Sequence, residues 1–200
     1  MTKRSNPVIA DGEMDENEGN APVATDLREA LILAGIDELE AHGPQGFSLR
    51  RVATACGVSC AAPYKHFESK EDFIGAILSY IYEKWSLLEE HICTLFPTPG
   101  AERLTELCLA GVRFWLGNPH FHAIHRMTGQ GNMGKMGLGA RAEEELRLLC
   151  EREGRDYVRL SYVLRSLVHG AIVMLEDGTL SGEAGTFRML RRVVDETLAK

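Results

Sequence analysis

Three stretches of this 200-residue sequence place reactive or charged side chains at spacings that chemistry uses. Gly129 to Lys135, GQGNMGK, has the G-x-x-x-x-G-K spacing of a loop whose backbone N–H groups cradle phosphates. Such a loop follows a strand, opens a helix and carries Ser or Thr after its Lys to hold magnesium. Met136 occupies that position and the preceding HRMT reads as helix or loop. The segment from 128 to 139 therefore reads better as a connector or a ligand-gating loop than as a nucleotide site. His120, His122 and His125 form H-x-H-x-x-H, and imidazole suits transition metals. Three ligands this close along one segment match no familiar closed site, so surface or pocket-lining roles fit better. Of the three, His125 sits between Ile124 and Met127 and is the candidate polar group of a pocket. No Ser-His-Asp set or carboxylate pair stands out as catalytic. No enzymatic activity, metal or other cofactor is expected.

The third stretch is GVSCAAPYKHFESKED, residues 57 to 72. The net charge of -7 argues against indiscriminate nucleic-acid binding, yet its distribution is uneven. Residues 26 to 42 carry one Arg and five acids, whereas residues 48 to 70 carry Arg50, Arg51, Lys65 and Lys70 against Glu68 alone. The elements that position this basic stretch follow from the flanking pattern. Leu27, Leu31, Ala34 and Leu39 recur with helical period after Thr25, and Gly43 and Pro44 stop that helix. Ser48 is a natural N-cap for a second helix, Leu49 to Cys56, with Leu49, Val52 and Ala53 facing inward. Gly57 ends it in a left-handed conformation, and Ser59 caps a short third helix. Ser69 with Asp72 resembles a capping box for a long fourth helix running to about Thr94.

Two short helices joined by a three-residue turn, with another helix before them, make a helix-turn-helix. In that motif the second helix enters the major groove, and about two turns suffice. Ser48 and Ser59 lie at helix N-termini, where free N–H groups attract phosphate. Tyr64, Lys65 and His66 can bond the flanking backbone, and Lys70 can clamp a further phosphate. Pro63 removes one helical donor and stiffens the turn.

FSLRRVATACGVSCAAPYKHFESKEDFIGAI resembles the DNA-binding domain of the TetR family of bacterial repressors, over about residues 26 to 78. The resemblance implies DNA contact by Ser48, Arg50, Ser59, Tyr64, His66 and Lys70. It also implies that Cys60, Ala61, Ala62 and Lys65 face bases or nearby phosphates. Cys60 and Ala61 depart from the family's usual basic or Gly residues, so base preference does not transfer. Phe67 reads as core. The remainder is similar to the family's ligand-binding and dimerising half more loosely. NPHFHAIHRM is similar to a helix start in one subgroup, and LVHGAIVMLEDGTL to its Val-His-Gly element, with Arg165 where Trp is common.

The chain reads as all-α, in three parts. Residues 1 to 24 are a polar, acidic tail with the composition of disorder, and Lys3 and Arg4 are too close to acids to serve readily as a basic arm. Residues 25 to 70 form the helix-turn-helix domain, and residues 71 to 200 a larger helical body. Further helices are expected at 101 to 116, 120 to 127, 140 to 152, 156 to 175 and 184 to 198. Trp115, Phe121, His125 and Met127 are the candidate ligand pocket, since Met and aromatic side chains suit adaptable apolar binding. Leu160, Leu164, Leu167, Ala171 and Leu175, then Phe187, Leu190 and Val194, form stripes on the last two helices, and Gly170 admits a close neighbour. Leu164, Leu167, Gly170, Phe187, Leu190 and Val194 are the expected homodimer seam. Five scattered cysteines point to a reducing, cytoplasmic compartment. Cys56 reads as core, and Cys60 as a thiol exposed toward DNA. No signal peptide is read in residues 1 to 24, and YVLRSLVHGAIVML, broken by Arg165 and His169, reads as too short for a membrane span.

The expected function is a ligand-responsive regulator, a repressor released from a pseudo-palindromic operator by a small apolar or amphipathic effector. The competing readings are a nucleotide-binding enzyme using residues 129 to 135 and a helical protein-interaction module.

Overall fold

The computed structural model describes residues 24–118 and 138–199. Most of the expected tail, the segment carrying Phe121, His125 and Met127, and the glycine-rich stretch through residue 137 lie outside the described residues. The elements are α1 (Ala24–Gly46), α2 (Leu49–Ala55), a 3-10 turn (Pro63–Lys65), α3 (Lys70–Leu95), α4 (Ala101–Leu116), α5 (Ala140–Glu153), α6 (Tyr157–Glu176) and α7 (Ala184–Leu198). No strand occurs among the described residues, and the fold is all-α.

The helix boundaries follow local chemistry. Gly43 in α1 has φ 66° and breaks the helix ahead of Pro44, so its last turn is offset by a kink. Ser69 Oγ accepts the Asp72 N–H at 3.0 Å, while Asp72 Oδ2 accepts the Glu68 N–H at 3.0 Å, which closes the start of α3. Asp156 caps α6 by accepting the Arg159 N–H at 3.1 Å.

The body is organised around α4, which packs on α3, α5, α6 and α7. Its Leu104, Leu107, Cys108, Leu109, Val112 and Trp115 are all buried. Each large apolar side chain so placed contributes about 1.5–3 kcal/mol relative to exposure. Polar ties pin the same helix. Thr105 Oγ1 donates to Asp195 Oδ1 of α7 at 2.7 Å, and Arg103 and Arg191 form ion pairs with Glu145 and Glu106.

The expected dimer seam is corrected in part, for three of its six residues. Leu164, Leu190 and Val194 are buried within the single chain, where α6 and α7 pack on α4. Leu167 lines a small cleft with Val168, Leu190, Val194 and Cys108, and Phe187 lies under the Arg113 guanidinium at 4.5 Å. Gly170 is half-buried. A regular apolar stripe does not say which neighbour covers it, and the nearest one is α4. The exposed apolar groups of α6 are Val158, Tyr162, Val173 and Met174, the first three on the face away from Leu164. The α6 helix has the length expected from the pattern, and it extends beyond the YVLRSLVHGAIVML stretch that read as too short for a membrane span. At 20 residues it is long and apolar enough to span a membrane by those two criteria. Its Arg165 is paired with Glu143 of α5, and its Leu164, Val168 and Ile172 face α4.

Candidate nucleic-acid interface

The unit formed by α1, α2 and the start of α3 closes on an aromatic core. Phe73 of α3 meets Phe67 edge-on at 4.4 Å between centroids and lies 5.7 Å from Phe47. The Arg28 guanidinium sits 5.2 Å over the Phe67 ring, bringing the start of α1 beside the recognition segment. Phe67 is 3% exposed, in line with its reading as core.

A carboxylate fixes the angle between α1 and α2. Glu38 is buried in α1, and its Oε1 accepts the Ser48 backbone N–H at 3.0 Å and the Arg51 Nε–H at 2.9 Å. His42 Nδ1 lies 3.2 Å from its other oxygen. The Arg51 hydrogen bond, opposed by burial and aided by the Ser48 N–H, holds the Glu38 carboxyl below its ordinary range. Arg51 also donates to the Gly46 carbonyl. Sequence reasoning missed this cluster, although Glu38 falls one helical turn from Gly35 and two from Leu31 on the stripe that packs inward. Ser48 does stand at the start of α2, but its side chain makes no cap bond there.

The turn is built as the glycine requires. Gly57 has φ 68°, its N–H donates to Thr54 O at 3.0 Å, and the Val58 N–H donates to Ala53 O at 3.0 Å. This double closure ends α2 and is cheap only for a residue without Cβ. The segment after it is not the regular helix expected from Ser59. The Ala62 N–H bonds Ser59 O, the Lys65 N–H bonds Ala62 O, and the His66 N–H bonds Pro63 O, all three-residue steps. Pro63 has no N–H to return to Ser59, so the tighter 3-10 pattern takes over.

That geometry sorts the expected contact residues. Ser59, Cys60, Ala61, Tyr64 and Lys65 are exposed on one strip, with Tyr64 59% exposed. His66 is half-buried at its edge. Ala62 is a correction: it is buried with Pro63 beneath the strip and cannot face bases. Arg50 is exposed on α2, whereas its neighbour Arg51 is committed to Glu38. Lys70 is half-buried, with Nζ donating to Phe47 O at 3.0 Å and lying 5.5 Å over the Phe47 ring. It ties the start of α3 to the residue before α2, with two ammonium donors left over. Cys56 is half-buried, its thiol pushed up by burial. Of the expected pocket residues, Trp115 alone is described, and it lies in the aromatic core of the body.

Residues 31–77 match the family model described as bacterial regulatory proteins, tetR family. Over those residues the chain is similar to the DNA-binding part of the tetR family. The match covers α1 from Leu31 onward, α2, the 3-10 turn and the first turns of α3, the part with the helix-turn-helix geometry. No curated protein matches the chain. Solved structures share the TetR-like fold over nearly its whole length. A Rhodococcus sp. RHA1 protein of unknown function is 23% identical, covering 92% of this chain and 100% of that one with a TM-score of 0.67. A TetR family transcription regulator from Marinobacter aquaeolei VT8 is 18% identical, covering 86% and 94% with a TM-score of 0.60. FadR from Bacillus subtilis, a transcriptional regulator in complex with stearoyl-CoA, is 16% identical, covering 85% and 96% with a TM-score of 0.58. The match over residues 31–77 supports a DNA-binding transcriptional regulator.

Proposed function

We propose that this chain is a cytoplasmic, homodimeric TetR-family repressor that leaves its operator when a small apolar or amphipathic effector binds the helical body. The observation that carries the DNA half is the exposed strip Ser59, Cys60, Ala61, Tyr64 and Lys65, held on buried Ala62, Pro63 and Phe67. Small residues at its start allow close approach to base edges. Tyr64, Lys65 and half-buried His66 supply donors to phosphates, and Arg50 and the start of α2 at Ser48 flank them. Lys70 contributes a phosphate contact through its remaining donors.

A dimer places two such strips about one DNA turn, ~34 Å, apart on a pseudo-palindromic site. Its seam is the exposed face of α6, Val158, Tyr162 and Val173, with Met189 of α7. Apolar groups of this size on one face signal an interaction surface. The free cysteines support a reducing compartment. The FadR structure, which holds an acyl-CoA, supports an effector with a long apolar part. Such a molecule shifts the equilibrium only through higher affinity for the state that reads DNA poorly.

Selection of genomic fragments by the purified chain, followed by mobility shifts, tests the reading. Enrichment of one pseudo-palindromic sequence is expected. Failure to enrich any sequence leaves the helical interaction module as the better reading.

A further inference from the structure

Glu89 of α3 is a carboxyl group buried to 1% exposure in the centre of the body. Its Oε1 accepts the backbone N–H of Arg141 at 3.1 Å and serves as a cap for α5 supplied by another helix. Trp85 lies one turn earlier on the same face and is 3% exposed, and its indole N–H has no acceptor among the described residues. Both polar atoms converge on Gly139, the residue before α5. A Cβ placed there would fall 2.4 Å from Glu89 Oε1 and 2.5 Å from Trp85 Nε1. Apolar walls adjoin this point. The Trp85 ring is 5.2 Å from Phe114 and 6.0 Å from Trp115, and Trp115 is 6.2 Å from Tyr82.

Among the described residues no cation is ion-paired with Glu89, although the Arg141 charge acts on it from nearby. On α3, Lys84 lies over Tyr80 and Lys70 bonds Phe47 O. On α4, Arg103 pairs with Glu145 and Arg113 covers Phe187. On α5, exposed Arg141 pairs with Glu90 at 3.5 Å and Arg147 covers Tyr157. Burial pushes the Glu89 carboxyl up to about 7, with the N–H groups of Arg141 and Ala142 and then the Arg141 charge opposing it. The pair thus presents one unused donor and one under-committed acceptor at a single point against aromatic walls. A buried donor left unmade is costly, and native structures rarely keep one without a use.

We propose that Trp85 and Glu89 are the polar end of the effector site, and that they select an apolar molecule with a neutral head that both accepts and donates a hydrogen bond, a carboxamide or a hydroxyl. The head's oxygen takes the Trp85 N–H, and its N–H or O–H donates to Glu89. Gly139 covers this point, so the head reaches both atoms only as Leu138 and Gly139 lift away from α3. That movement frees the start of α5 from the helix whose other end carries Phe73 against Phe47 and Phe67. The proposal rests on the reading of the chain as a ligand-responsive regulator and supplies the chemistry of that ligand.

The test is a calorimetric titration of the full chain with octanamide, octanol, octylammonium, octanoate and methyl octanoate, with tryptophan emission followed in parallel. The chain has two tryptophans, so engagement of Trp85 shifts a signal that few residues share. Octanamide or octanol should bind about ten-fold tighter than methyl octanoate, which cannot donate, and than either charged probe. Trp85→Phe should erase that preference while apolar affinity persists. Equal binding of octanamide and methyl octanoate overturns the proposal, as does an amide preference that survives Trp85→Phe. If that variant fails to fold, the selectivity series on the unaltered chain decides alone. None of these readouts involves DNA. Selective binding that never releases operator would overturn the effector-controlled reading and leave the site assignment standing.

Discussion

Glu38 and Arg51 are joined across α1 and α2, with Arg51 Nε 2.9 Å from Glu38 Oε1 and the Ser48 N–H on the same oxygen. One carboxylate thereby sets the entry of α2, the helix that precedes the reading strip. Glu38→Ala should lower stability by about 1–2 kcal/mol, since Arg51 is half-exposed and can be rehydrated while the Ser48 N–H loses its partner. The folded carboxyl titrates below its unfolded value, so its contribution is complete above the ordinary carboxylate range and is lost as pH falls through the folded pKa. Thermal melts from neutral to acid pH should show a shallower acid loss in the variant. An unchanged acid limb would show that the pair does not hold the unit together.

Arg50 and Lys70 separate two ways of losing DNA affinity. Arg50 is exposed, so Arg50→Ala should leave the melt unchanged and lower the salt slope of operator binding by about one phosphate contact. Lys70 bonds Phe47 O, so Lys70→Ala should also lower the melting temperature, because that carbonyl loses its donor. Anisotropy titrations across a salt series, with a melt of each variant, distinguish the outcomes. Identical behaviour of the two would remove the structural role given to Lys70.

The exposed face of α6 bears on assembly. Tyr162 is 73% exposed and Val158 76% exposed. Tyr162→Arg should raise the dimer dissociation constant by about ten-fold or more, with the helix content unchanged. Leu164→Ala, in the intrachain core, should instead cost about 2–5 kcal/mol of stability. Sedimentation of both variants decides, and a Tyr162→Arg chain still dimeric at low concentration would place the seam elsewhere.

Much of this architecture was legible because its signals are local. Gly57, Ser69 with Asp72, and the breaks at Pro97 to Gly100 act within a few residues, and α4 begins and ends where the pattern places it. The failures come from partners distant in sequence. The stripe containing Leu164 and Val194 has the period of a buried face, but α4 covers it rather than a second chain. Pro63 was expected to remove one helical donor and stiffen the turn, and by withholding that N–H it leaves a 3-10 turn where a short helix was expected. Nothing in the helical pattern sets Glu38 and Glu89 apart from the other acids. Only folding shows that one meets Arg51 and the other meets the start of α5.

Gly139 gives a sharp steric test at the junction of α3 and α5. It has φ 83°, and any Cβ would meet Glu89 Oε1 and Trp85 Nε1 well inside contact distance. Gly139→Ala should cost about 2–4 kcal/mol, combining left-handed strain with overpacking. Denaturant unfolding measures it, and a loss below about 0.5 kcal/mol would mean that the segment yields without cost.

Glu89 makes the same junction sensitive to pH near neutrality. Its folded carboxyl titrates at about 7, above the ordinary value of 4.5, because burial disfavours the charge. The folded chain therefore keeps a proton that the unfolded chain has already released. Its favourable contribution is complete below the unfolded value and is lost as pH rises through 7, after which this group adds no further slope. Glu89→Gln keeps an oxygen for the Arg141 N–H and cannot ionise. The variant should match the parent at acid pH and exceed it above neutrality by on the order of 2–3 kcal/mol. Unfolding free energies measured by denaturant across that range provide the check. Parallel curves for the two proteins would mean that Glu89 is solvated in the folded chain, and that the α3–α5 junction opens far more readily than its packing implies.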